Sequence, residues 1–154
     1  MNPDYFKTRF RTVEKGVQFP DEFVIITAHP TTGEKWKYSR ILDAENQLLE
    51  ELKSRKCWMH SLEGYSPVSG HAEPGWAIVM PLDEARDLGL SYKQDAIFHV
   101  RKDLLSVTYC DHRRGLVNID SFKARLDLSQ SDFPRFHTPI FTNITQCLSP
   151  YSKS

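Results

Sequence analysis

Short apolar runs alternate with polar segments along this chain, and two stretches show helical spacing of their apolar positions. The clearest run, residues 23–28, is nearly all apolar, is rich in β-branched side chains and is closed by Pro30. These features predict a central strand that is covered on both faces. The strand is followed directly by the polar residue His29, so a functional site is expected at this end of the strand.

Two helices are predicted. The first spans residues 39–53, where Ser39 or Asp43 is the expected N-cap. Its core-facing stripe consists of Ile41, Leu42, Leu48, Leu49 and Leu52. The second begins at Pro81, the favoured first position of a helix, and is expected to end near Gly89.

Further apolar runs predict strands at residues 56–62, 75–80, 95–100 and 104–110. The order is therefore strand, helix, strand, strand, helix, strand, followed by one added strand. This order predicts an α+β fold of the ferredoxin-like (split βαβ) type, with an antiparallel sheet and both helices on one face.

The domain organisation follows from the same pass along the chain. Residues 1–20 are a polar lead-in with scattered aromatics, for which helix and strand both stay open. Residues 21–128 form a single α+β domain. Residues 129–154, with several prolines and many Ser and Thr residues, are expected to form an irregular C-terminal extension.

Composition narrows the class of protein. At 154 residues the chain fits one domain, and 20 basic residues balance 20 acidic ones, which disfavours a surface built for a phosphate backbone. No apolar run is long enough for a membrane span, and no secretory signal is expected. Three cysteines form no CxxC pair and no even framework, which suggests a reducing cytoplasm and cysteines that are core fillers or free thiols.

Glu45 is the most unusual charge in the sequence. Its helical neighbours three and four residues away are all apolar, so the carboxylate falls in the core-facing stripe. A buried carboxylate needs a partner or has its pKa raised, and such groups cluster at functional sites. Two structural alternatives stay open, namely a first-turn cap on free backbone N–H groups and a buried ion pair with an arginine.

Other candidates are polar groups beside apolar runs. His29 could act as an acid, a base or a ligand, Asn46 and Gln94 offer amides that donate and accept, and Glu73 stands at the mouth of a strand. Each has a structural alternative as a loop or connection clamp. His71 and Glu73 share one side of an extended chain, but no third ligand stands at a recognised spacing, so no metal and no cofactor are expected.

Four short motifs together resemble a bacterial family, the domain of unknown function 3293. They are a strand ending in Thr27 and Ala28 with Pro30 close behind, the pair Glu45-Asn46, the pair Glu73-Pro74, and Gln94-Asp95-Ala96-Ile97. The resemblance covers roughly residues 20–112. The chain departs from the family pattern at His29, where asparagine is usual, and at Lys93, where glycine is usual. The resemblance implies no activity, but it singles out the polar set Thr27, Glu45, Asn46, Glu73 and Gln94.

Three functions are carried forward. The first is a non-catalytic binding or regulatory module that takes a small molecule or a protein partner through one polar pocket. Its ligand-binding candidates are Thr27, His29, Asn46, Glu73 and Gln94. The second is a small hydrolase-like enzyme that uses Glu45 or Glu73 as acid or base, assisted by His29. A nucleic-acid-associated protein ranks last. The sequence lacks the nucleotide-binding and catalytic motifs GxGxxG, GxSxG and HExxH and the Walker loop. It does not indicate the oligomeric state.

Overall fold

The computed structural model describes residues 1–12, 14–31 and 34–128. These residues form eight strands, two α-helices and two short 3-10 segments, Pro3–Lys7 and Lys123–Arg125. In chain order the elements are β1 (Arg9–Thr12), β2 (Glu22–Ile26), α1 (Tyr38–Ser54), β3 (Met59–Tyr65), β4 (Ala72–Ile78), α2 (Leu82–Ser91), β5 (Ala96–Arg101), β6 (Leu104–Tyr109), β7 (Val117–Ser121) and β8 (Leu126–Leu128). The expected C-terminal extension, residues 129–154, lies outside the described residues.

One curled sheet dominates the molecule. Its strand order is β7-β6-β5-β2-β4-β3-β1-β8, and all neighbours are antiparallel except β1 and β8, which are parallel. The prediction of a ferredoxin-like α+β fold is therefore wrong, because the structure is a sheet-rich, mixed half-barrel with two helices. The error arose at the two ends of the domain, where short segments with weak alternation add β1, β7 and β8 to the sheet.

The parallel pair β1·β8 is held by a charged cluster. Arg9 donates two hydrogen bonds of 2.8 Å to the carboxylate of Asp127, and the Tyr65 hydroxyl donates to the same group. The guanidinium of Arg9 keeps the pKa of Asp127 below its usual value. Residues near the two termini of the described chain are thereby joined at one edge of the sheet.

Aromatic side chains pack together on one face of the sheet. Phe10 of β1 lies edge-on to Phe98 of β5, with ring centroids 5.1 Å apart, and Tyr5 approaches the same ring at 5.9 Å. Phe122 packs against both Phe10 and Phe23. The segment expected to be a simple lead-in therefore supplies part of the core, because its aromatics cover strands that would otherwise face water.

Helix α1 confirms the predicted helix to within one residue at each end. The predicted caps are wrong, however, since Lys37 occupies the N-cap position and makes no side-chain capping bond. Glu45 is only 4% exposed, among the buried positions of the helix. Its carboxylate therefore does lie in the core-facing stripe, as the spacing indicated, and does not cap the first turn.

Helix α2 does not end at Gly89. It continues to Ser91, and Lys93 takes the left-handed conformation (φ 61°) that ends many helices. The Gln94 N–H bonds the Gly89 carbonyl, and the Lys93 N–H bonds that of Leu90. Gly89 itself is needed for close packing, because a Cβ there would lie 2.8 Å from Cys110 Sγ.

The predicted strands at 56–62 and 75–80 exist but are displaced by about three residues. Strand β3 continues through Gly64 to Tyr65, in what was expected to be a turn region, and β4 begins already at Ala72. Glu73 therefore lies within β4, opposite Gly64 of β3. This position directs its side chain from the sheet itself rather than from a loop.

The cysteines do not all behave as expected. Cys110 is a free thiol with 0% exposure, and burial raises its pKa to about 12. Cys57 is also buried but is disulfide-bonded, so it is not the free thiol that was one expectation. Cys147 lies outside the described residues. Neither α1 nor α2 is long and apolar enough to cross a membrane.

Candidate ligand-binding cavity

A cavity of about 400 Å³ lies between the N-terminal 3-10 segment and one face of the sheet. Strands β2, β3, β4 and β5 contribute its walls. Its floor is formed by buried side chains, which are Phe10, Ile25, Leu62, Gln94, Ala96 and Ile97. Exposed residues form its rim, which consists of Asn2, Asp4, Ser69 and His71. The cavity therefore has a largely apolar floor and a polar rim.

Three predicted site residues meet in this cavity. Thr27, Glu73 and Gln94 all line it, although they are far apart in the sequence. The Thr27 hydroxyl lies 3.0 Å from Gln94 Oε1 and 3.4 Å from Glu73 Oε2. One hydroxyl thus joins an amide and a carboxylate in a short polar chain.

This polar chain leaves one atom of Gln94 without a partner. The side chain is only 4% exposed, and its Nε2 makes no hydrogen bond within the described part of the chain. Rotating the amide by 180° does not remove the problem. Nε2 would then donate to Thr27, the threonine would donate to Glu73, and Oε1 would be unpaired instead. Either assignment leaves a buried polar atom that costs stability.

Hydrogen bonds join the loop after β2 to the loop between α2 and β5, and they position Thr27 and Gln94. The Thr31 N–H bonds the Lys93 carbonyl at 2.9 Å, and the Asp95 N–H bonds the Thr31 hydroxyl at 2.6 Å. The segment after β2 is thereby fixed to the segment between α2 and β5. Because Thr27 and Gln94 flank these bonds, their contact follows from the backbone connection rather than from the side chains alone.

Gly75 allows β4 to approach this polar chain closely. A Cβ on Gly75 would lie 2.8 Å from Thr27 Cγ2 and 2.9 Å from the Ile26 carbonyl oxygen. These distances are too short for any side chain, so the position requires glycine. Its neighbour two residues away, Glu73, is consequently held near Thr27.

Tyr5 lines the cavity from the N-terminal segment. Burial raises the pKa of its hydroxyl to about 12, and the carboxylates of Asp95 and Glu73 act in the same direction. The phenol therefore stays neutral at physiological pH and can both donate and accept a hydrogen bond.

His29 and Glu45 form a separate pair. His29 Nε2 lies 2.9 Å from Glu45 Oε1, and neither residue is among those that line the described cavity. Asn46 is exposed on α1 and does not line it either. The predicted site residues thus divide into a cavity group (Thr27, Glu73 and Gln94) and the rest.

His71 and Glu73 do face the same side, as the spacing predicted. His71 Nε2 lies 2.9 Å from Glu73 Oε1 at the rim of the cavity. Within the described ranges, no three His, Cys, Asp or Glu side chains are grouped so that they could hold a metal ion. The pair therefore orients the Glu73 carboxylate, whose other oxygen faces Thr27.

Sequence reasoning missed several cavity residues. Tyr5 and Phe10 belong to the lead-in segment, for which helix and strand were both open, and Phe98 was expected only as a strand residue. The alternation of residue types at residues 9–12 (Arg-Phe-Arg-Thr) was the available signal for a strand, but it is only four residues long. The role of Tyr5 had no local signal, since it depends on contacts with β5.

The fold and cavity define a sheet-rich domain whose buried polar chain opens into a cavity of ligand size. Residues 26–97 match the family model described as "Protein of unknown function (DUF3293)". The segment from the end of β2 to the beginning of β5 is therefore similar to this family, and the resemblance found in the sequence is confirmed over these residues. No curated protein and no solved structure matches the chain.

Proposed function

We propose that this domain is a non-catalytic module that binds a small organic molecule in the cavity beside Thr27, Glu73 and Gln94. The observation that carries the proposal is the unpaired amide atom of Gln94, buried at the cavity floor. Buried polar atoms are almost always paired in folded proteins, and an exception calls for an explanation. A ligand that hydrogen-bonds this amide would supply the missing partner.

The dimensions and lining of the cavity support the same proposal. Ligand pockets typically enclose about 300–1,000 Å³ and combine apolar walls with a few convergent polar groups. The cavity of about 400 Å³ falls at the lower end of that range, which suits a small metabolite. Phe10, Leu62 and Phe98 supply apolar surface, while the Thr27 chain supplies orientation.

Hydrolysis is less well supported. A hydrolase that used both predicted acids would bring Glu45, Glu73 and His29 together around one opening. Instead Glu73 lines the cavity, whereas the His29–Glu45 pair does not contribute to its lining. Among the described residues, the side-chain partners of Glu73 are the Thr27 hydroxyl, at the long distance of 3.4 Å, and His71 Nε2 at 2.9 Å, so neither predicted partner of a Glu45–Glu73–His29 centre contacts it.

Nucleic-acid association has little support from the charged groups. Most arginines of the described residues already form ion pairs, namely Arg9, Arg11, Arg55, Arg86, Arg113, Arg114 and Arg125. Their partners are carboxylates of the same chain. A surface that neutralises phosphates needs free cations, so these arginines are poorly disposed for it.

A fragment screen by protein NMR tests the proposal. Binding in the cavity should shift the backbone amide signals of Thr31, Gly75 and Gln94 together. In the variant Gly64→Val, added methyl groups take up cavity volume beside Phe10, where a Cβ makes ordinary contacts at 3.6 Å. This variant should abolish the shifts. The proposal fails if a chemically diverse set of several hundred fragments leaves these signals unchanged.

Gly115→Val is the matched control. Its Cβ would meet nothing within 4 Å, and Gly115 does not line the cavity. It should bind fragments as the wild type does. A second cavity-filling variant, Ala96→Leu, distinguishes blocked binding from local misfolding at Gly64, because it adds volume from β5 instead of β3. Loss of binding in Gly115→Val as well would contradict the cavity assignment.

A further inference from the structure

We infer that the ligand of this cavity is a small organic cation, an ammonium group on an apolar body. The inference rests on the proposed function and adds the charge of the ligand. Among the cavity-lining residues of the described chain, three are carboxylates (Asp4, Glu73 and Asp95), and none is lysine or arginine. The charge of the cavity wall is therefore complementary to a cation.

The carboxylate of Glu73 occupies the position that matters most. One oxygen faces His71 at the rim and the other faces the Thr27 hydroxyl, so the group lies between solvent and the buried amide. Asp95 is different, because Arg113 approaches it at 3.0 Å from outside the cavity lining. Glu73 is thus the acid best placed to receive the charged end of a ligand.

The Gln94 amide fits a cation when its oxygen and nitrogen exchange places, because the atom now without a partner is Nε2, which only donates hydrogen bonds. If Gln94 Nε2 donates to Thr27 and Thr27 donates to Glu73, then Oε1 of Gln94 is the unpaired atom. A carbonyl oxygen only accepts hydrogen bonds, and an ammonium group only donates them. A single ammonium could therefore bond both the Gln94 oxygen and the Glu73 carboxylate.

The aromatic rings favour an organic cation over a metal ion. Phe10, Phe98 and Tyr5 line one side of the cavity and pack edge-on to one another. Aromatic faces attract cations through the ring quadrupole, and apolar walls suit a hydrocarbon body. Metal ions of the hard type need several oxygen ligands, and no such group is found within the described residues.

Three size-matched probes separate charge from shape, namely 2-phenylethylammonium, 2-phenylethanol and 3-phenylpropionate. Titration followed by NMR at neutral pH should show the ammonium probe binding at least tenfold more tightly than the other two. Affinity for the ammonium probe should fall as salt is raised, because charge attraction is screened. Equal or tighter binding of the alcohol or the carboxylate would overturn the inference and leave the proposed function standing.

The variant Glu73→Gln removes the charge while it keeps the size of the side chain. It should weaken ammonium binding at least tenfold and leave binding of the alcohol within twofold. Glu22→Gln is the matched control, because Glu22 also pairs with a histidine at 2.9 Å (His99) but does not line the cavity. An unchanged ammonium affinity in Glu73→Gln, or no binding of the ammonium probe while other fragments occupy the cavity, refutes the inference alone.

Discussion

The Thr27 hydroxyl lies 3.0 Å from Gln94 Oε1, although 67 residues separate the two along the chain. Thr27 directly follows β2, and Gln94 lies between α2 and β5. With the amide oxygen facing Thr27, the hydroxyl has one proton and two acceptors within reach, so it cannot donate to Gln94 and Glu73 together. Gln94 Nε2 needs an acceptor and has none among the described residues, so the buried amide is incompletely paired.

Replacing Gln94 with methionine should therefore stabilise the protein in the absence of ligand. Removing an unsatisfied buried group recovers about 1–3 kcal/mol, while the lost bond to Thr27 costs about 1 kcal/mol. The expected net gain in the free energy of unfolding is about 1 kcal/mol, measured by urea denaturation. Gln47→Met, at an exposed position of α1, is the control and should change stability by less than about 0.5 kcal/mol. A loss of stability in Gln94→Met would mean that the amide is already paired.

The two predicted acids should respond differently to neutralisation. Glu45→Gln should lower the free energy of unfolding by about 1–2 kcal/mol, because it replaces a charge-assisted hydrogen bond to His29 with a neutral one. Fragment binding in the cavity should be unchanged, since Glu45 does not line it. Urea denaturation and NMR titration of the same sample check both expectations. Reduced binding together with unchanged stability would place Glu45 in the functional site instead.

Lys93 offers a test of backbone strain. Its left-handed conformation, with φ of 61°, is one that glycine adopts without a Cβ penalty. Lys93→Gly should raise the free energy of unfolding by about 0.5–1 kcal/mol, as judged by thermal and urea denaturation. Lys53→Gly in the last turn of α1 is the contrasting variant and should lower it by up to about 1 kcal/mol. If both variants destabilise alike, strain at Lys93 is negligible.

Tyr5 should make the stability depend on pH in the alkaline range. Its pKa is about 12 in the folded protein, against an ordinary value of 10.0 for a tyrosine in water, so the folded state holds this proton more strongly. The resulting stability is fully present below about pH 10 and is lost as the pH rises towards 12. Ultraviolet titration should show one fewer late-titrating tyrosine in Tyr5→Phe, and its alkaline loss of stability should be smaller. Identical titration curves for the two proteins would contradict the burial of the hydroxyl.

The parallel edge of the sheet should depend on Asp127. Its pKa is lowered chiefly by the hydrogen bonds from Arg9, so its contribution is present above the ordinary pKa of 3.8 and is lost as the pH falls through the lower folded value. Asp127→Asn should reduce the free energy of unfolding at pH 7 by about 1 kcal/mol, a modest value because the pair is partly exposed. The difference from wild type should shrink in acid. A constant difference at all pH values would show that charge is not the cause.

Local patterns predicted some elements well and others badly. Helix α1 was found because its apolar residues recur with helical spacing over about three turns, and β2 because it is a continuous apolar run. Strands β1 and β8 have four and three residues, too few for a periodic signal. Helix α2 ends two residues beyond Gly89, where its end was expected, and Gly89 itself is required by close packing rather than by a turn.

The candidate site was also predicted correctly for some residues and not for others. Thr27, Glu73 and Gln94 were singled out as polar groups beside apolar strands, and they do line one cavity. His29, Asn46 and Glu45 were singled out on equal grounds and lie elsewhere. The sequence contained no information to separate the two groups, since separation depends on which face of a curled sheet each strand end approaches.

By itself the sequence determined the two helices, the central strand and the chemical character of the polar groups, because these depend on neighbours within a few residues. Only the tertiary structure decided that the sheet has eight described strands, that Tyr5 and Phe10 close a cavity over it, and that one amide is left unpaired there. The physical reason is that hydrogen-bond satisfaction is a property of distances across the fold. The side-chain oxygens of residues 73 and 94 compete for the hydroxyl proton of residue 27 only after the strands have assembled.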